Sequence, residues 1–389
     1  MIMATVYLHI GLPKTGTTAL QRFLYNNTDV LERHGVSYPD FGLRYKNNSS
    51  YLSFHKNGRF LIAPNTSSGT RDFSRPADEY APTLDKIAEL GKSYEKIIIS
   101  DEGIWKISGN RENFWSDLKS DLKSRGLELK VIVYLRRQDS FVQSLYAQRV
   151  KETKQPFTFE EYLASEAAVW PLDFKKRLDH ISGIVGKDAM LVRIYEKGQY
   201  QGREEEPTLF SDFLDIFGLA LSDGFQVEQE QLNSSFDGTY LELKRLLNIL
   251  PESINGSALQ KTLYEIGSLN PYIQKSTKTT YFKSREVQQA FLDQFAESNS
   301  AVAREYLGRK DGQLFYERIP DLPQETVSTE ELLRDSLLFY GRTIQRLEKQ
   351  NAELEQKLEK LEAELEKKRS RNVVALVKNS VYSRTQKTS

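Results

Sequence analysis

The chain contains no cysteine. That excludes a disulfide framework, thiolate-bound zinc and a cysteine nucleophile, and it is compatible with a reducing compartment. Net charge is also missing, since 54 Lys and Arg balance 54 Asp and Glu. No nucleic acid or other polyanionic partner is implied, and any basic site has to be local. No stretch approaches ~18 consecutive apolar residues, so no membrane span is expected. The opening MIMATVYLHIGLPKTG has no basic segment ahead of its apolar run and does not read as a signal peptide. These absences imply a soluble, cytoplasmic protein. What the chain does have is length and apolar material. Its 389 residues are 39% hydrophobic, with 20 Tyr and 20 Phe, enough for one large α/β domain with appendages or for two ordinary domains.

Four apolar runs have the composition of buried parallel strands: Thr5–Ile10, Lys96–Ser100 (KIIIS), Leu129–Leu135 (LKVIVYL) and the shorter Met190–Tyr195. Helical patterns separate them, at Thr17–Asn26, Glu112–Ser124 and Ser140–Lys151. Such alternation predicts βαβ units and a mostly parallel sheet covered on both faces, with ligands beyond the carboxyl ends of the strands. Residues Asp40–Pro82 read as a long irregular segment, the kind that forms a lid or stays disordered. From Pro207 to about Leu307 the pattern is helical, and a linker follows at 316–330.

The segment 331–368 has a different rhythm. Leu333, Leu337, Tyr340, Ile344, Leu347, Asn351, Leu354, Leu358, Leu361 and Leu365 alternate spacings of four and three, a heptad seam with a period of about 3.5. Asn351 falls at an a position, where a buried amide selects a two-stranded, in-register coil at some loss of stability. In a parallel pair, Lys357 faces Glu362 of the other helix and Glu364 faces Arg369. A homodimer through a parallel coiled coil is the expectation, set against a single solvated charged helix; Gly341 weakens the upstream end of the seam. The tail 369–389 has Arg371, Lys378, Arg384 and Lys387 and no acidic residue. It reads as disordered, either solvated or in peripheral contact with an anionic membrane surface.

Directly after the first strand comes HIGLPKTGTTAL, from His9 to Leu20. Overlaid on the phosphate-loop pattern G-x-x-x-x-G-K-[ST], it fits at Gly11, Gly16 and Thr18. Thr17 fills the lysine slot, and the lysine stands three residues earlier, at Lys14. A strand, a two-glycine turn and a helix start make an anion site, because free N–H groups at the helix N-terminus and the helix dipole both favour negative charge. Thr15, Thr17 and Thr18 add hydroxyl donors. A triphosphatase also needs a carboxylate for Mg²⁺ at a neighbouring strand end. Here KIIIS runs into Asp101–Glu102 and LKVIVYL into Arg136–Arg137, a basic pair that repels a cation. The pattern suits side-chain neutralisation of a bisphosphorylated nucleotide, with no metal required.

HIGLPKTGTT resembles the 5′-phosphosulfate loop of the sulfotransferases that use 3′-phosphoadenosine 5′-phosphosulfate (PAPS). YLRRQDSFVQSLYAQ, Tyr134–Gln148, is similar to their 3′-phosphate motif, with Arg136 at a strand end and Ser144 eight residues on in the next helix. Glu102 after the middle strand, and FLDQFAESNSAVAREYLG (Phe291–Gly308), resemble bacterial members grouped with carbohydrate sulfotransferases. The resemblance covers residues 1–315 and implies a sulfotransferase domain over that span: an α/β, phosphate-loop-like parallel sheet with helices on both faces. It further implies PAPS as co-substrate, 3′-phosphoadenosine 5′-phosphate (PAP) as product, and a glycan, glycolipid or other hydroxylated acceptor. Lys14 would contact the oxygen bridging phosphate and sulfuryl group. The amides of Thr15, Gly16, Thr17 and Thr18, with the Thr17 and Thr18 hydroxyls, would hold the 5′-phosphate, and Arg136 with Ser144 the 3′-phosphate.

The acceptor's proton needs a base. Glu102, just past KIIIS, is the first candidate and His55, in the irregular segment, the second; Asp101 would point elsewhere, and His9 reads as a core histidine. Tyr45, Tyr51, Phe54, Lys56, Asn57 and Arg59 have a composition suited to a sugar. Trp105 is either an apolar wall of that site or core packing. Two rivals remain: a phosphate-loop kinase or triphosphatase with a displaced lysine, and a PAP-binding scaffold that organises partners through its coil.

Overall fold

The computed structural model describes residues 3–42, 46–47, 50–51, 56–62, 79–110, 112–152, 156–165, 171–227, 239–250, 280–319 and 329–385. The chain divides into two compact units, Met1–Ser235 with Thr279–Thr326, and Phe236–Lys278 with Val327–Ser389.

The first unit is built on a five-stranded parallel sheet. Its strands are β1 (Ala4–His9), β2 (Val36–Ser37), β5 (Lys96–Ser100), β6 (Leu127–Leu135) and β7 (Met190–Ile194), in the order β2-β5-β1-β6-β7. A separate antiparallel pair, β3 (Lys46–Asn47) and β4 (Ser50–Tyr51), interrupts the segment read as irregular. β1 is central, with Val6 level with Ile97 and Leu129 on its two neighbours. Both faces of β1 are therefore buried, which is why its sequence is a continuous apolar run rather than an alternation.

Helices cover both faces. On one, Tyr7, Ile98, Ile132 and Tyr134 pack with Leu20, Phe23 and Leu24 of α1 (Thr17–Asn26), Val30 and Leu31 of α2 (Thr28–Arg33), and Phe213 and Leu214 of α9 (Leu209–Asp215). On the other, Val6, Leu8 and Ile99 face Leu84 and Ile87 of α3 (Tyr80–Leu90) and Leu118 and Leu122 of α5 (Phe114–Ser124). Each fully buried aliphatic or aromatic side chain contributes about 1.5–3 kcal/mol, so these two layers fix the sheet and hence the positions of its strand ends. The remaining helices of this unit are α4 (Gly103–Ile107), α6 (Gln138–Glu152), α7 (Phe159–Ser165), α8 (Phe174–Val185), α11 (Arg285–Asp293) and α12 (Ala296–Leu307).

The expected strands are found almost residue for residue. β2 was missed because two residues carry no periodicity. In the second unit, α10 (Thr239–Leu247) packs on α13 (Thr329–Thr385), and Leu241, Leu247 and Phe339 are buried. Helix α13 runs on to Thr385, through the segment read as an irregular tail. Residues 369–385 contain neither glycine nor proline, so nothing in them breaks the helix. Among the described residues no helix is long and apolar enough to cross a membrane.

Candidate active site

The loop between β1 and α1 lies at the carboxyl edge of the sheet, where the backbone is pinned on both sides. Ile10 and Leu12 donate to the carbonyls of Ile132 and Tyr134 along β6, and the Asp101 N–H donates to the His9 carbonyl from β5. Gly11 and Gly16 both adopt positive φ, 75° and 72°. Gly11 has a second constraint, because a Cβ there would come within 2.5 Å of the Glu102 Cβ. The glycine thus lets the loop and the β5 end approach each other. At Gly16 an added Cβ would meet Leu209 at 2.5 Å and the Tyr195 ring at 3.3 Å, which wall the loop from the β7 side.

Lys14 is the one described non-glycine residue with positive φ, at 67°. Such a conformation costs about 1–3 kcal/mol and persists where its surroundings enforce it. Among its contacts is Arg136, whose Nη1 donates to the Lys14 carbonyl at 2.6 Å. Gly16 is the N-cap of α1 and supplies no side chain, so the first N–H groups of the helix lack a side-chain cap. The Thr15 hydroxyl, expected to face a ligand, donates instead to the Leu12 carbonyl at 2.5 Å and is buried. Thr17 is buried and Thr18 exposed.

Arg136, at the end of β6, lies over the Tyr195 ring at 5.6 Å. Burial pulls its guanidinium below the usual arginine range, and no described carboxylate pairs with it. Its neighbour Arg137 turns away to Asp139, at 2.8 and 3.0 Å, and to the Glu317 carbonyl. Ser144 sits eight residues beyond Arg136, half-buried in α6.

Glu102 opens α4 at the end of β5. It pairs with Lys56 and accepts from Gln21 Nε2 at 3.1 Å. Burial pushes this carboxyl up, but the Lys56 ammonium, by charge and hydrogen bond, and Arg59 behind it pull harder, and the result is about 2. Gln21 also donates to Ser100 Oγ at 3.1 Å, and Ser100 Oγ lies 2.8 Å from His9 Nδ1. A buried polar chain thus runs His9–Ser100–Gln21–Glu102–Lys56. His9 is buried: burial lowers it to about 4, against a weaker opposing pull from Glu102, Tyr134 and Phe213 meet its ring edge-on, and its Nε2 has no hydrogen-bond partner among the described residues.

Of the residues read as sugar-binding, the three whose side chains are described turn inward. Lys56 goes to Glu102, and Arg59 to Asp101 at 2.8 Å. Asn57 bonds the Ile98 carbonyl and the Ser100 N–H along β5. Short polar loops beside an open strand edge satisfy that edge before they can offer groups to a ligand. Trp105 is fully buried against Phe174, so it is core. His55, with Tyr45 and Phe54, lies outside the described residues. Gln21 was not anticipated, although an amide between Leu20 and Leu24 on the buried face of α1 is itself a signal.

No known protein-family profile matches the chain. An uncharacterised protein of Archaeoglobus fulgidus is 26% identical over 208 residues, 51% of this chain and 53% of that protein. The match therefore spans about half of the relative's length. A sulfotransferase from Alicyclobacillus acidocaldarius, known from its crystal structure, aligns over 77% of this chain and 95% of its own, at 12% identity and a TM-score of 0.37. A likeness this distant carries no argument about activity.

Proposed function

We propose that the chain is a sulfotransferase that moves a sulfuryl group from PAPS to a hydroxyl, most simply one on a carbohydrate. The observation that carries this reading is the pairing at the loop. A lysine held in a left-handed conformation stands before a helix N-terminus without a side-chain cap, and its carbonyl is tied by an arginine that has no carboxylate partner among the described residues. The Arg136 guanidinium and this start of α1 both lie at the loop, and each is a group that suits an anion.

On this reading the α1 amides and the Thr18 hydroxyl hold the 5′-phosphate, and Arg136 and Ser144 hold the 3′-phosphate. The acceptor oxygen bonds to sulfur as the bond from sulfur to the bridging oxygen breaks. The electron pair passes to that oxygen, which leaves on PAP, and the hydroxyl proton passes to Glu102. Lys14 stabilises the charge that grows on the leaving oxygen, so its effect is greater in the transition state than in the ground state. Glu102 is held ionised, with Lys56 on one oxygen and Gln21 on the other, and Lys56 makes it a weak base. Burial opposes Lys56, so moving that ammonium off Glu102, toward an anionic donor or acceptor, strengthens the base when it is needed.

The test is transfer of label from ³⁵S-PAPS to a panel of glycans and glycolipids, alongside thermal-shift measurements with PAP and with ATP–Mg²⁺. Labelled glycan and stabilisation by PAP are expected. Stabilisation by ATP–Mg²⁺ in preference to PAP would favour a triphosphatase. Tight PAP binding with no transfer to any acceptor would favour a scaffold.

A further inference from the structure

Helix α13 carries large apolar side chains that its own unit does not cover. Ile344, Leu347, Leu354, Leu358, Leu361 and Leu365 are between 54% and 61% exposed, where leucines of the sheet unit such as Leu8 and Leu24 are at most 1% exposed. They form a single ridge at alternating three- and four-residue spacing, about 30 Å long at 1.5 Å per residue. A ridge this continuous on a soluble helix marks an interaction surface rather than scattered surface leucines.

We propose that its occupant is the same ridge of a second copy of this chain, wound on it as a parallel, in-register two-stranded coil. Three observations select that occupant. The exposed Asn351 interrupts the ridge at an a position; two copies in register place the two amides side by side, where each satisfies the other. Lys357 flanks the ridge five residues before Glu362, the g-to-e′ offset that joins opposite charges only in a parallel pair. Within the ridge the e column reads Glu348, Glu355 and Glu362, before Arg369, so an antiparallel pair centred on the ridge would set acid against acid there. The surface is therefore complementary to itself in one orientation and repulsive to itself in the other. This inference is independent of the activity proposed for the sheet unit.

The mass of the full chain in solution, by light scattering at micromolar concentration, should be twice the 44.8 kDa of one chain. The double variant L358D/L361D should run as a single chain. The native absence of cysteine allows a third reading. L365C, near one end of the ridge, should form a covalent dimer on mild oxidation, because in a parallel pair both copies of position 365 meet. A wild-type chain of single mass, or a double variant that still dimerises, overturns the proposal. So does an L365C dimer that fails to cross-link, since in an antiparallel pair the two positions lie far apart.

Discussion

Two regions of this molecule break the usual partition of residues in opposite directions. At the carboxyl edge of the sheet, polar and charged groups are buried: His9, Ser100, Gln21, Asp101 and Arg59 are all less than a tenth exposed. Along α13, apolar groups face water. A buried polar cluster is tolerated when its members satisfy one another, and an exposed apolar ridge is tolerated when something covers it. The first region closes its network only in part: among the described residues, His9 Nε2, Gln21 Oε1 and Arg59 Nη1 are buried without a hydrogen-bond partner, and the start of α1 has no side-chain cap. The second buries Phe339 beside α10, but leaves the ridge from Ile344 to Leu365 exposed. One region holds an excess of buried charge and the other an excess of exposed apolar surface, and the two proposals above rest on those excesses.

The sharpest way to break the comparison is at Lys14. Lys14→Ala keeps a Cβ and so leaves the backbone strain unchanged, while removing the cation. Turnover with PAPS should fall by about 10²–10³-fold, with much less loss of nucleotide affinity; unaltered turnover would remove Lys14 from the chemistry. Next in size is the burial of His9. Its pKa of about 4 in the fold lies below the ordinary 6.5, so the native state refuses a proton that the unfolded chain accepts. The stability this gives is complete above pH 6.5 and is lost as pH falls toward 4, of order 3 kcal/mol in all. His9→Phe should flatten that part of the pH dependence in urea melts, and an unchanged slope would place the titrating group elsewhere.

Arg136→Ala should weaken PAP binding by about tenfold to a hundredfold, the scale of a lost charge-assisted hydrogen bond, and weaken adenosine 5′-phosphosulfate much less. Calorimetry showing equal losses for both nucleotides would rule out a 3′-phosphate partner. The smallest effect concerns Lys56. Lys56→Met removes the pull that holds Glu102 near 2, and burial then raises it. The acid limb of the rate profile should move up by about one pH unit or more. A limb that stays in place would mean that Glu102 is not the base or that Lys56 does not govern it.

Much of the sheet was legible because a strand buried on both faces has to be apolar throughout, and four such runs stand out. The loop glycines were legible as a pattern, but not the reason for Gly11, which is the approach of Glu102 from a strand ninety residues away. Nor could spacing reveal that Lys56 meets Glu102, or that Arg59 meets Asp101, since both pairs are made by the fold. Thr15 shows the opposite error: a hydroxyl in a donor-rich motif was read as facing outward when the turn itself uses it. The apolar ridge of α13 was legible as a pattern because it is a one-dimensional repeat, and its residues from Ile344 to Leu365 are exposed.

The bond from Arg136 to the Lys14 carbonyl has one more consequence. On the proposed reading, the side chain that senses one end of the donor also sets the posture of the cation at the other end. A donor lacking its 3′ group would leave that guanidinium without its anchor, and the lysine would be aimed less well. Such a site screens its donor by speed as well as by grip, and a near-miss nucleotide would sit in the cleft without reacting.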